Sequence, residues 1–177
     1  MKASELLSNP SAGMIYFASK KAIDDKSFGE EIAGHIFSEN TEISRNALSI
    51  ALHSSIIGKD FIGKNFYRIL ENYNEYNDDD FRSLTLSLFN KAGVPEKKEM
   101  LEKLMILCFS EMRRKTKHTI LKINAMDVLL KISEQLHEIR GELFWQINEQ
   151  IFLNQPEFRE KAEIVLDKLL SMEHEQK

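Results

Sequence analysis

Few side chains in this 177-residue sequence are spaced for chemistry. Cys108 is the single cysteine. It falls in an apolar helical column between Leu70 and Ile147, which makes it a buried, inert thiol rather than a nucleophile. The five histidines, His35, His53, His118, His137 and His174, are scattered, with no His-x-x-x-His spacing and no Cys-x-x-Cys. No metal site is expected. A Gly-rich phosphate loop and a Gly-x-Ser-x-Gly elbow are both missing, so neither a cofactor nor a catalytic residue is expected. Asp78-Asp79-Asp80 lacks the Gly and Glu of a calcium loop and reads as a capped helix start.

Two groups point to binding. Arg113-Arg114-Lys115, with Lys117, His118 and Lys122, is the densest positive cluster. It suits phosphate or an acidic partner, or charge compensation with Asp78–Asp80 one repeat away. The second group centres on Trp145. Leu143, Ile147 and Ile151 define a buried helical stripe, and at 100° per residue Trp145 lies about 200° from Leu143 and Phe152 about 180°. Ile106, one repeat earlier, is also off its stripe. Ile106, Trp145 and Phe152, with Arg68 and Arg113, form the candidate partner-binding set. The competing reading has a terminal helix folded over them.

Helices must carry these residues. From Thr41 onward apolar side chains recur with a 3.6-residue period. The series includes Ile62, Phe66, Ile69, Leu70 and Tyr73, then Ile120, Ile123, Met126 and Leu130. Asn40 and the Asn77-to-Asp80 run supply N-caps, Gly93 ends a helix, and Pro95 is placed in the first turn of the next. Asn154-Gln155-Pro156 is a similar stop and restart. Short connections make consecutive helices antiparallel.

The helices also repeat. Ile43, Phe81, Ile120 and Phe158 recur every 38 or 39 residues, as do Phe28, Phe66, Leu104 and Leu143. One amphipathic pair cannot bury its apolar face alone, and stacked equivalent pairs make a continuous core. A helix pair at this period resembles HEAT repeats, over roughly residues 26 to 172. The stretch from Lys122 to Leu170 looks most like the HEAT-type repeats of small bacterial proteins. The usual first-helix proline and the Asp/Arg ladder are not present. The resemblance implies an all-α, right-handed α-α superhelix of about four antiparallel pairs in one domain over 1–177. In it, 1–40 is an irregular first repeat, 41–172 are regular repeats and 173–177 are a frayed tail. The same resemblance places second helices on the concave face.

Composition narrows the function. The net charge of −4 argues against a nucleic-acid partner. The lone cysteine fits a reducing, cytoplasmic setting. No run approaches the roughly 18 apolar residues a membrane span needs, and no membrane partner is expected. The expectation is a non-enzymatic protein-interaction or scaffold module, its partner unidentified, a homodimer contact being one form. The alternative is a nucleic-acid binder related in architecture to HEAT-like DNA-alkylation glycosylases. There Lys64, Arg68 and Arg113 would meet phosphates and Trp145 would stack, against acidic Glu71 and Glu102 on the same face.

Overall fold

The computed structural model describes residues 3–174. They form ten α-helices and no strand. The helices are α1 (Ala3–Leu7), α2 (Ala12–Asp24), α3 (Lys26–His35), α4 (Thr41–Ser54), α5 (Lys59–Glu75), α6 (Asp79–Ala92), α7 (Lys98–Arg113), α8 (Thr119–Ser133), α9 (Arg140–Gln150) and α10 (Pro156–His174), with a 3₁₀ turn at His137–Ile139. Of the expected frayed tail, Glu173 and His174 close α10, and residues 175–177 lie outside the described residues.

Local chemistry sets most boundaries. The first N–H groups of a helix have no partner within it, so a side-chain acceptor just upstream fixes the start. Asn40 Oδ1 accepts from the amides of Glu42 and Ile43 at 3.0 and 3.2 Å. Asp78 Oδ1 does the same for Asp80 and Phe81 at 2.8 and 3.1 Å. Ser11 and Asp25 cap α2 and α3 in the same way. Pro156 opens α10, where a missing N–H costs nothing. Gly93 ends α6 at φ 100°, a conformation that a side chain disfavours. Pro95 corrects the reading: it is buried in the connection after Val94, and α7 begins only at Lys98.

The chain divides into two compact units, 1–95 and 96–177. In the first, α2 packs on α4 and α4 on α6, while α3 and α5 pack against these first helices. Phe66 is fully buried and meets Phe89 edge-on at 6.1 Å, joining α5 to α6. The Asn72 amide donates to the Ile36 carbonyl at 3.4 Å, and the Tyr76 hydroxyl donates to the Ser38 carbonyl. Both tie α5 to the end of α3.

In the second unit α7 and α8 form the tightest pair, and α10 packs on α8. Helix α8 is the core of this unit. Leu121, Ala125, Met126, Val128, Leu129 and Ile132 are all fully buried. Ile120 is a second correction: it is exposed, and Leu121 takes the buried place assigned to it. A helix surrounded on nearly every side needs no single stripe, so periodicity chose the wrong neighbour. Helix α9 rests on α8 and α10 through Leu143, Gln146 and Ile147.

Candidate functional site

Every member of the Trp145 group except Arg68 lies in the second unit. Helix α9 is amphipathic in a simple way. Leu143 and Ile147 are fully buried, and the side chains between and opposite them, Glu142, Phe144, Trp145, Asn148 and Glu149, face solvent. Trp145 is 57% exposed. The chain then makes a tight turn, with the Leu153 amide bonded to the Gln150 carbonyl at 3.0 Å. This turn carries Phe152 and Leu153 at 79% and 81% exposure, with the Arg159 guanidinium 5.5 Å from the Phe152 ring centre. The Trp145 face is therefore open rather than covered by α10.

Ile106 is 62% exposed on the outer stripe of α7, which also carries Glu102, Lys103, Ser110 and Arg113. An ion pair links this stripe to α9: Arg113 Nη1 lies 3.5 Å from Glu142 Oε1. Arg113 is two turns along α7 from Ile106, and Glu142 is one turn before Trp145. At this level of exposure the pair contributes about 0–1 kcal/mol, so it orients side chains more than it stabilises them. Arg68 belongs to the first unit, where its guanidinium sits 4.2 Å from the centre of the Phe37 ring. Phe144 and Leu153 were not singled out in the sequence. They are visible there only once Trp145 and Phe152 have set the outward direction of α9.

The charged loops find partners within their own units. Asp78 pairs with Arg45 at 3.5 Å as well as capping α6. Arg114 pairs with buried Glu111 at 2.6 Å. His118 Nδ1 accepts the Leu121 amide at 3.2 Å and so caps α8. Lys122 is nearly buried and donates to Gln150 Oε1 at 3.2 Å. Burial, then the neighbouring Arg114 guanidinium, lowers its ammonium below the usual lysine range. Arg114, His118 and Lys122 serve the α7–α8 and α8–α9 junctions, and Arg113, Lys115 and Lys117 are the exposed cations of the cluster.

Cys108 is fully buried, and burial followed by the Glu111 carboxylate pushes its thiol well above the ordinary range. A thiol in that state is a poor nucleophile. Among the described residues no group of three or more His, Cys, Asp and Glu is gathered for a metal, and no helix is long and apolar enough to cross a membrane. A second exposed apolar stripe, missed in the sequence, runs along α2 through Tyr16, Phe17 and Ile23, with Lys20 over the Tyr16 ring. Its signal was two stripes on one short helix, of which Met14, Ala18 and Ala22 account for only the inner.

No family model matches the chain, and neither a curated protein nor a solved structure matches it.

Proposed function

We propose that the chain is a non-catalytic interaction module of HEAT-like solenoid type, which binds a protein partner through the second-helix face carrying Ile106, Trp145 and Phe152. The observation that carries this reading is the exposure of Trp145 on a helix whose opposite face is fully buried. An exposed aromatic set rimmed by polar and charged side chains is the composition of an interaction surface. The solenoid reading rests on the period of 38 or 39 residues. The packing of first helices on first helices, α2 on α4, α4 on α6 and α10 on α8, supports it.

The net charge of −4 and the exposed Glu102 on the α7 stripe favour a protein partner over a duplex. Trp145→Ala tests the proposal. The variant is expected to keep the helical content and melting temperature of the parent and to lose capture of a specific partner from a lysate of the source organism. Equal capture by parent and variant would sink this reading of the α9 face.

A further inference from the structure

The outward surface of α9 and α10 is acidic. From Glu134 to Glu173 the sequence carries nine carboxylates against four cations, an excess larger than the net charge of −4 of the whole chain. All nine carboxylates are exposed. Two of the cations do little at the surface. Arg140 is nearly buried against two helix ends, and Lys161 pairs with Asp127 of α8 at 2.8 Å. Arg159 and Lys168 are exposed, as are Arg113, Lys115 and Lys117 at the end of α7 and in the connection after it. Counting all five leaves the surface acidic.

On α9 the charge is arranged around the aromatic side chains. At 100° per residue, Glu142 and Glu149 lie about 60° and 40° to one side of Trp145, one turn before it and one turn after. Phe144 and Asn148 lie on the other side, about 100° and 60° away. Phe152 follows in the turn beyond α9. The aromatic ridge thus has a carboxylate edge along one flank. Arg113 offsets Glu142 only in a half-exposed pair at 3.5 Å, which a better-placed cation displaces at small cost.

The occupant must also satisfy its own backbone. The amides and carbonyls along α7 and α9 are used within those helices, so the surface offers no edge to an extended peptide. A helix brings its own hydrogen bonds and packs on such a surface side chain to side chain. We infer that the partner of the α9 face is a basic amphipathic helix, its apolar stripe on Phe144, Trp145 and Phe152 and its lysines or arginines along Glu142 and Glu149. This rests on the α9 face being a protein-binding surface, and it names the class of partner. The apolar contact supplies affinity, and the charges set the rate of encounter and the orientation. An acidic helix would meet like charge along the same flank.

Fluorescence anisotropy with the full chain tests it. The probe is a labelled peptide of about 18 residues with leucine on one helical face and lysine on the other. A leucine–glutamate peptide of the same pattern, and a leucine–lysine peptide with its leucines spread round the helix, are the comparisons. The parent is expected to bind the patterned leucine–lysine peptide at least about tenfold more tightly than either comparison, and to release it as salt is raised. Trp145→Ala and the double substitution E142K/E149K should each weaken that binding about tenfold, with the helical circular dichroism signal unchanged. Equal binding of the leucine–glutamate peptide, binding of no peptide, or equal binding by the parent and either variant would overturn the inference. If Trp145→Ala still abolished lysate capture, any of these three results would leave α9 a protein-binding face whose partner has other chemistry. A parent dimer that Trp145→Ala converts to monomer would also overturn the inference, since a second copy would then occupy the face.

Discussion

Leu143→Ala is expected to destabilise the protein by about 2–5 kcal/mol, the range for removing a fully buried leucine without collapse of the space left behind. Leu143 has no exposed surface and stands in the stripe with Ile139, Ile147 and Ile151 that seats α9 on the rest of its unit. Two residues on, Trp145→Ala is expected to change stability by no more than about 0.5 kcal/mol, despite removing a much larger side chain. Urea unfolding followed by the helical circular dichroism signal measures both. The contrast matters more than either value. A loss at Trp145 as large as that at Leu143 would mean that its face is part of a core, and the interaction surface would have to be sought elsewhere.

Arg140→Ala carries the second large effect, about 2–4 kcal/mol of destabilisation. Arg140 is nearly buried at the start of α9. Its Nε donates to the carbonyl of Ser133, the last residue of α8, at 3.1 Å, and its Nη1 donates to the carbonyl of Met172 in the last turn of α10 at 3.3 Å. The last carbonyls of a helix have no partner within it and carry the negative end of its dipole. One guanidinium thus closes two helix ends. A cation at the start of α9 is disfavoured by that helix's own dipole, and the two carbonyls outweigh this. Removing the side chain leaves both carbonyls short of a donor in a place water reaches poorly. Arg140→Lys, with one compact ammonium, should recover part of the loss and not all of it. Thermal unfolding of the three proteins checks the order. Equal stability of Arg140→Ala and the parent would show that water replaces the guanidinium at both carbonyls.

How much of this was readable in the sequence depends on where each determinant resides. Asn40, Asp78 and Pro156 act on backbone groups within three residues of themselves, so composition alone located the helix starts they set. Pro95 failed because a proline after a glycine fits a first turn and a buried connection equally well, and only packing around Val94 decides. Helix α8 failed at Ile120 because the stripe rule assumes a solvent side, and a central helix has little of one. The outward face of α9 was legible for the opposite reason. Leu143, Ile147 and Ile151 leave one direction free, and Trp145 points along it. Arg140 gave no signal, since an arginine at a helix start reads as solvated until the ends of α8 and α10 are brought to it. The basic run from Arg113 to Lys122 was legible as a cluster and illegible as a set of roles. Four of its members, Arg113, Arg114, His118 and Lys122, are engaged by Glu142, Glu111, the Leu121 amide and Gln150.

Fluorescence of the single tryptophan, excited beyond the tyrosine absorption, tests the exposed α9 face most directly. In the folded protein Trp145 should emit at a water-like wavelength and be quenched by iodide or acrylamide nearly as readily as a free tryptophan derivative. A blue-shifted emission that resists quencher would contradict an open face, and would mean that another part of the chain or a second copy covers it.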